Sequence, residues 1–357
     1  MGTRTSWLLV LVLAGSLFGA APASAGTVDV PPSACSATSD SAPALESFLA
    51  TVPNGSTVVF PSGASCLMAL SVNLGVPPSG SSQRADTVYD LNGATIFRTV
   101  EPSCSKPRFC NAPLIRLSKV KNVTLKGGTV HGGYDPGPTP MYDSTRAMDH
   151  GVAVKGSSGV TMSGLTIRDM GGDCVDVDRY SKLPSSSVSF TGTPAAPTTC
   201  RSVGRQGISA NAIDGLTVSG VTFDFIGRSA VDIEPRLSWH ARNVTVVGNS
   251  FGWAVNFAVA GVGSSAIWEN VVVDGNVQTS ASGVGFMWVG NKYQRGPITV
   301  TNNQVMDSLR ISHTSGSATG NVMTSNPDGI TCMFDIVEPA DIVVSGNTPA
   351  PGVVERC

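Results

Sequence analysis

The sequence predicts an all-β fold, a right-handed parallel β-helix (solenoid) with a short N-terminal capping helix. Two observations support this: a strand-and-turn pattern that repeats at near-constant spacing, and a second short apolar run inside each repeat. The chain has 357 residues and 40 glycines, and the Val-, Ile- and Thr-rich runs between the glycines are typical of strands joined by tight turns.

The repeated pattern is approximately x-V-x-V-x-G, and its units can be counted. Units start at residues 159, 187, 215, 243, 270 and 297, so neighbours are 27 or 28 residues apart. A fixed period of this size indicates a solenoid, and the alternation of apolar and polar residues makes each unit a strand-based coil. We expect about nine to eleven coils between residues 56 and 348.

The second strands of four successive units align by their apolar residues. The interior column of this alignment contains Val152, Val175, Ile208 and Val231. Side chains alternate across a strand, so the following positions face outward. They form one column of Ala153, Asp176, Ser209 and Asp232, and a second of Lys155, Asp178, Asn211 and Glu234. The strand entrances carry His150, Asp173, Gln206 and Ser229, and Arg205 and Arg228 come directly before the last two.

Asparagine recurs at the seventh position of the pattern in five units: Asn249, Asn276, Asn303, Asn321 and Asn347. Stacked side-chain amides hydrogen-bond from strand to strand in stacked parallel sheets. We interpret these residues as a structural ladder.

The N-terminal part predicts a signal peptide followed by a capping helix. Residues 1–25 combine Arg4, an apolar run and a small-residue cleavage site, so we assign residues 26–357 to a single β-helix domain. Asp40 or Ser41 is placed to begin a helix over residues 42–52 that covers the open end of the solenoid. Residues 98–118 and 132–149, rich in Pro, Gly and charge, are expected to form loops.

Charge and cysteine content limit the partners and the compartment. Without Arg4 the chain has 22 Lys and Arg against 25 Asp and Glu, which argues against a nucleic-acid partner. No later stretch reaches the length of a membrane span, so we expect a secreted, extracellular monomer without a membrane anchor. All eight cysteines follow residue 25, and export favours disulfides over zinc. Local pairing predicts Cys35–Cys66, Cys104–Cys110, Cys174–Cys200 and Cys332–Cys357.

The segments SAPALESFLATVPNGSTVVFPSG and YDLNGATI, followed by coils such as GVTMSGLTI, resemble the pectate-lyase-like right-handed parallel β-helix superfamily. That superfamily includes polygalacturonase-type glycoside hydrolases, polysaccharide lyases and uronate epimerases. The resemblance implies the solenoid fold and a polysaccharide partner outside the cell. Asp173 in Gly172-Asp173-Cys174 looks like part of the Asp-Asp-Cys element of polygalacturonases, although Gly replaces the first Asp. Where their Gly-His-Gly element would follow, this chain has Arg205-Gln206-Gly207.

The leading functional expectation is a glycoside hydrolase that uses paired carboxylates and needs no cofactor. The catalytic candidates are Asp176 and Asp232 as the principal pair, with Asp173 and Glu234. The candidate substrate-binding residues are His150, Lys155, Asp178, Arg205, Gln206, Arg228, Trp239 and His240.

Two alternatives remain open at this point. In a polysaccharide lyase or epimerase, Ca²⁺ held by Asp176, Asp178, Asp232 and Glu234 would neutralise a uronate. Lys155, Arg205 or Arg228 would then abstract the proton. The other alternative is a non-catalytic solenoid that binds a glycan along its groove.

Overall fold

The computed structural model describes residues 26–99, 112–135, 137, 139–235, 239–261, 267–290, 296–312, 314–327, 329–337 and 341–357. Its strands are parallel and stack into two long sheets, one of 20 strands (sheet A) and one of 11 (sheet B). This arrangement confirms the predicted parallel β-helix.

The structure contains one 3₁₀ turn (Pro32–Ala34), one helix, α1 (Ala42–Leu49), and 31 strands within the described residues. The strands are β1 (Thr27–Asp29), β2 (Thr57–Val59), β3 (Ser65–Leu67), β4 (Val72–Asn73), β5 (Ala85–Asp90), β6 (Thr95–Phe97), β7 (Ile115–Ser118), β8 (Lys121–His131), β9 (Val152–Lys155), β10 (Ser158–Met170), β11 (Val175–Asp178), β12 (Ser185–Thr191), β13 (Thr198–Val203), β14 (Ile208–Ala210), β15 (Ile213–Ser219), β16 (Val221–Ile226), β17 (Val231–Ile233), β18 (His240–Val247), β19 (Ser250–Phe251), β20 (Phe257–Gly261), β21 (Ile267–Asp274), β22 (Val277–Gln278), β23 (Gly285–Gly290), β24 (Pro297–Thr301), β25 (Gln304–Val305), β26 (Leu309–Ser312), β27 (Ser315–Thr319), β28 (Val322–Met323), β29 (Cys332–Val337), β30 (Asp341–Ser345) and β31 (Val354–Arg356).

Sheet B contains the predicted second strands, one from each coil. Its members are β4, β7, β9, β11, β14, β17, β20, β23, β26, β29 and β31. Eleven stacked strands agree with the expected number of coils. The predicted register is also confirmed, because β9, β11, β14 and β17 pair through Val152, Val175, Ile208 and Val231, all 0% exposed.

One segment differs from the sequence-based expectation. Residues 115–118 were expected to lie in a loop, but they form β7, which pairs with β4 and β9. Ile115 and Leu117 alternate with polar residues and are fully buried, so this coil obeys the same pattern as the others.

Helix α1 closes the apolar interior near the N-terminus. Its Leu45 and Leu49 are 0% exposed and belong to the continuous core cluster. Arg84, also 0% exposed, donates hydrogen bonds to the carbonyl oxygens of Leu49 and Val52. A buried guanidinium thus pairs with carbonyl groups that the end of a helix leaves free.

The asparagine ladder forms as predicted. The Nδ2 group of each of Asn249, Asn276, Asn303 and Asn321 donates to Oδ1 of the next asparagine, at 2.8 to 2.9 Å. Backbone amides of the same four residues donate to the same oxygens. The ladder ends at Asn347, whose Nδ2 donates to Oε1 of Glu355.

Three of the predicted disulfides are present: Cys35–Cys66, Cys174–Cys200 and Cys332–Cys357. The fourth, Cys104–Cys110, lies outside the described residues and stays a prediction. In the described part of the chain, no helix is long and apolar enough to cross a bilayer.

The ladder should be a main contributor to stability. Asn276→Leu removes the acceptor for two donors of Asn249 and leaves the carbonyl of Val246 without its partner. Because unsatisfied buried polar groups are expensive, we expect the free energy of unfolding to fall by at least about 3 kcal/mol.

The control for this variant is Asn270→Gly, which removes one exposed hydrogen bond to Asn243 at a backbone φ of 55° that glycine accepts. We expect a loss below about 1 kcal/mol. Urea denaturation measures both variants, and equal losses would show that the ladder does not stabilise the fold.

Candidate functional site

The outward positions of β9, β11, β14 and β17 form a row of Ala153, Asp176, Ser209 and Asp232, which we call the carboxylate row. Neighbouring parallel strands are about 4.8 Å apart, so the backbones of Asp176 and Asp232 are roughly 10 Å apart. The small Ser209 lies between them. Ser209 is 0% exposed, and Asp176 and Asp232 are 4% and 8% exposed, so the row places two nearly buried carboxyl groups on either side of a buried serine.

A buried ion pair packs against the outward side chain of Ser209 in this row. Asp173 is 0% exposed, and its Oδ2 accepts hydrogen bonds from Arg205 Nη1 at 2.7 Å and Ser209 Oγ at 2.8 Å. Its Oδ1 accepts the amide hydrogen of Gln206 at 2.9 Å. Burial opposes ionisation, but Arg205, His150 and the Gln206 amide together hold the pKa of Asp173 below its ordinary value.

Asp173 therefore differs from its expected role as a second catalytic acid. Its side chain is covered on all sides and presents no surface to a substrate. The structure makes it the anchor of Arg205, whose pKa the adjacent Asp173 raises above its already high ordinary value. Arg205 is thus a permanent cation that covers Ser209, with Nη1 at 3.2 Å from the serine Oγ.

His150 connects the buried ion pair to Asp176. Its Nδ1 lies 3.2 Å from Oδ2 of Asp173, and its Nε2 lies 3.8 Å from Oδ2 of Asp176. The ring is 1% exposed. We infer that His150 positions the two aspartates and does not itself contact a substrate.

Asp176 is surrounded by hydrogen-bond donors. Asn211 Nδ2 donates to its Oδ1 at 3.0 Å, and Lys155 Nζ lies 3.4 Å from its Oδ2. The other amide atom of Asn211, Oδ1, is buried and makes no hydrogen bond within the described part of the chain. A free acceptor therefore lies beside the Asp176 carboxyl group.

Asp232 has a very different environment. Burial, followed by the nearby Glu234 carboxylate, raises the pKa of Asp232 to about 7, against the opposing charges of Arg205 and Arg228. Gln206 Nε2 donates a short hydrogen bond to its Oδ2. Because Oε1 of Gln206 accepts the Ser229 amide hydrogen at 2.8 Å, the amide orientation is fixed and only its NH₂ group faces Asp232.

Charged and aromatic residues form the rims of the row. Glu234 has a side chain 39% exposed and pairs with Arg205 Nη2 at 3.4 Å. At the strand entrances, the guanidinium of Arg228 lies 5.0 Å from the ring centre of Tyr142, a residue of the 132–149 loop. At the strand exits, Asp178 accepts the amide hydrogen of Arg179, and Arg179 lies over Trp239 at 4.6 Å.

Two predicted residues lie away from the carboxylate row. Trp239 and His240 line a separate pocket of about 230 Å³ that also includes Asp214 and Arg242. His240 is the first residue of β18 in sheet A, not an outward residue of sheet B. Only Trp239, through Arg179, is connected with the rim of the row.

The acidic quartet expected to hold calcium does not form a ligand cluster among the described residues. The ligand atoms that come within 4.8 Å of one another belong instead to His150, Asp173 and Asp176. Arg205 already pairs with Asp173, and Ca²⁺ takes about six to eight oxygen ligands. The residues present therefore do not fit a calcium ion.

Sequence analysis missed three contributors to the site. Asn211 and Ser209 were aligned in the outward columns but were not assigned a role, and Tyr142 was assigned only to a loop. The alignment could have identified Asn211 as a site residue, because Asn211 shares its outward column with the candidates Asp178 and Glu234. Nothing in the sequence places Tyr142 against Arg228.

Comparison with known proteins supports the fold. An alginate lyase from Paenibacillus sp. str. FPU-7 is similar with a TM-score of 0.53 and 12% identity, covering 93% of this chain and 97% of the lyase. The tailspike protein of E. coli bacteriophage HK620, solved with a pentasaccharide, has a TM-score of 0.54 and 11% identity. That match covers 89% of this chain but 64% of the tailspike, so this chain spans less than two thirds of the tailspike's length.

An endo-xylogalacturonan hydrolase from Aspergillus tubingensis reaches a TM-score of 0.48 at 13% identity, covering 90% of this chain and 92% of the hydrolase. No protein-family model and no curated protein sequence matches the chain. At such low identities the two likenesses with a TM-score above 0.5 show the fold alone, and they agree with the parallel β-helix expected from the sequence.

The raised pKa of Asp232 predicts a pH-dependent stability difference. Folded Asp232 stays protonated up to about pH 7, whereas an unfolded aspartate ionises near pH 4, so folding binds a proton between these values. Stability from this group is present below about pH 4 and is lost as the pH rises to about 7. Asp232→Asn cannot ionise and should gain stability relative to wild type, on the order of 2–4 kcal/mol, between pH 4 and pH 8.

Urea unfolding of both proteins at the two pH values measures this gain. Asp29→Asn, on an exposed position of β1, is the matched control. If the difference between Asp232→Asn and wild type is the same at pH 4 and pH 8, Asp232 is not protonated in the folded protein.

Proposed function

We propose that this protein is a secreted glycoside hydrolase that cleaves a polysaccharide, with Asp232 as general acid and Asp176 as general base. One observation carries the proposal: two carboxyl groups of one surface row lie two coils apart in opposite environments. Pairs of carboxyl groups with different environments are typical of acid–base partners in glycosidases.

Asp232 suits the role of acid. With a pKa of about 7 it carries a proton at neutral pH and can transfer it to the leaving glycosidic oxygen. The fixed Gln206 amide donates to Oδ2, so the proton of Asp232 resides on Oδ1. Gln206 is therefore a positioning residue for the acid.

Asp176 suits the role of base. Its carboxyl group accepts a hydrogen of the attacking water molecule in this proposal, and the Nδ2 group of Asn211 holds its Oδ1 in place. Water held there can attack from the side opposite to Asp232. A spacing of roughly 10 Å between the two backbones, shortened by inclined side chains, favours the inverting mechanism, whose carboxyl groups are about 6.5–9.5 Å apart.

The row continues on both sides in a way that suits a polymer. On one side Arg116 pairs in register with Ala153, and on the other Ala260 follows Asp232 and Trp288 follows Ala260. Ala153, Ser209 and Ala260 are at most 4% exposed, so the proposed contacts with sugar rings fall to the larger side chains around them. Charged and aromatic side chains between them offer contacts to successive units.

Extracellular action is supported by the three disulfides, which persist in oxidising compartments. A calcium-assisted lyase is less well supported, because the acidic residues do not form a calcium site. A lyase would release unsaturated uronides, whereas a hydrolase releases saturated reducing ends. A glycan-binding protein would release neither product.

Loss of either carboxyl group should abolish most turnover. We expect Asp176→Asn and Asp232→Asn each to lower kcat by about 10² to 10⁴, because each removes a proton-transfer group while keeping its size. Reducing-end release from a panel of neutral and uronic-acid polysaccharides measures this. Asp274→Asn in sheet A is the control and should retain full activity. Wild-type turnover by both site variants in folded form would disprove the assignment.

Gln206→Glu tests how the acid is positioned. The new carboxyl group can still accept the Ser229 amide hydrogen, but it must share a proton with Asp232. Because two adjacent carboxyl groups resist full ionisation, the alkaline limb of the kcat/KM pH profile should move upward by about one pH unit. Gln304→Glu, exposed on β25, should leave the profile unchanged. A lower rate with an unchanged limb would mean that Gln206 does not act through Asp232.

A further inference from the structure

A second concave feature begins one coil beyond the carboxylate row. It is a pocket of about 510 Å³ whose lining includes Trp253, Ser280, Ser282, Val284, Asp307 and Ser308. Pockets of this volume are typical of small-molecule sites. The proposed reaction does not use any of these residues.

The pocket contains a buried carboxyl group that is held rigidly. Asp307 is 3% exposed, and its Oδ2 accepts the Ser282 amide hydrogen at 2.6 Å and a short hydrogen bond from Gln278 Nε2. Oε1 of Gln278 accepts the amide hydrogen of Met306 at 2.8 Å, which fixes the orientation of the glutamine amide. This repeats the amide–carboxyl arrangement of Gln206 and Asp232.

The wall of the pocket is a half-buried indole. The ring of Trp253 packs against Phe225 with centroids 6.2 Å apart, and its backbone amide donates to Asp224 Oδ1 at 3.2 Å. Phe225 is 41% exposed, so the two rings form an aromatic patch at the surface. Because the ring contact with Phe225 limits the movement of the indole and the Asp224 hydrogen bond holds the backbone, the residue needs little reordering to bind a flat apolar ligand face.

We propose that this Trp253 pocket is a second carbohydrate-binding site that holds one sugar ring of a glycan. A sugar ring has an apolar face that suits an indole, and hydroxyl groups that suit a carboxylate and serine hydroxyls. Trp253, Asp307, Ser280 and Ser308 present these two kinds of surface around one cavity.

The pocket begins one coil beyond the carboxylate row and extends away from it. Trp253 precedes β20, the strand next to β17 of Asp232, whereas Asp307 precedes β26, which is three coils beyond β17. The distance from Asp232 to Asp307 along the axis is roughly 14 Å, about the length of two to three sugar units. The pocket lies at the corner that precedes the sheet B strands, the same corner as Arg228. One long glycan can therefore occupy both sites.

The test uses full-length protein with Asp232→Asn, so that substrate is not consumed. This Asp232→Asn protein is the parent for all other variants. Native gels that contain a soluble cellulose derivative, xylan, starch, glycol chitin, pectate or alginate identify the polysaccharide that slows its migration. Calorimetry with tri- to pentasaccharides of that polymer then counts the binding sites. We expect two sites in the parent and one after Trp253→Ala or Asp307→Asn, with affinity for the polymer about tenfold weaker.

Val284→Trp provides a variant that does not disturb buried contacts, because Val284 is 62% exposed at the pocket. It should fill the pocket and remove the same site. Leu70→Ala, an exposed apolar residue of an N-terminal coil, is the control and should bind like the parent. If all three pocket variants keep the parent's stoichiometry and affinity, or if no polysaccharide retards the parent, the proposal is wrong.

The same experiment separates this site from the proposed reaction. A parent with Asp232 intact that shows no turnover, but still loses one binding site with Val284→Trp, would disprove the hydrolase and retain the pocket. Turnover by the protein with Asp232 intact, together with a single binding site in every variant, would retain the hydrolase and disprove the pocket.

Discussion

In-register stacking of the sheet B strands is the constraint on which the rest of this protein depends. Each strand lies about 4.8 Å from the next, so a side chain at one outward position is aligned with its counterparts in every other coil. Residues 23 to 33 positions apart in sequence thereby become neighbours, such as Asp176, Ser209 and Asp232. In the coils that follow Asp232, the ladder from Asn249 to Asn347 joins successive coils between strands of sheet A.

A buried ion pair turns this register into a defined site. Asp173 and Arg205 are both removed from water, which is costly unless their hydrogen-bonding capacity is satisfied. Ser209, Glu234 and the Gln206 amide supply the remaining partners. Because the pair cannot rearrange without leaving a buried charge unpaired, the contacts around Ser209 are rigid, and the carboxyl groups of Asp176 and Asp232 on either side of it keep their separation.

The contrast between Asp176 and Asp232 arises from what surrounds each group, not from their positions in the strand. Both are the second residue of a short strand with buried neighbours. Asp176 faces Lys155 and the Asn211 amide, whereas burial and the neighbouring Glu234 carboxylate raise the pKa of Asp232. Equivalent places in a repeat thus gain different chemistry from non-equivalent neighbours. The Gln278–Asp307 pair shows the same amide–carboxyl contact in another coil.

The sequence by itself determined the coil period, the register of Val152, Val175, Ile208 and Val231, the asparagine ladder and three of the disulfides. All of these follow from the alternation of apolar and polar residues and from a near-constant spacing, and both can be counted directly along the sequence. It also placed Asp176 and Asp232 in one column, because register alone decides that. Three features are evident only in the folded chain: Asp173 is buried against Arg205, Trp239 and His240 line another pocket, and Tyr142 meets Arg228. Burial and contacts between a loop and a distant coil depend on side-chain directions at the turns, where the repeat breaks down and no period exists to be counted.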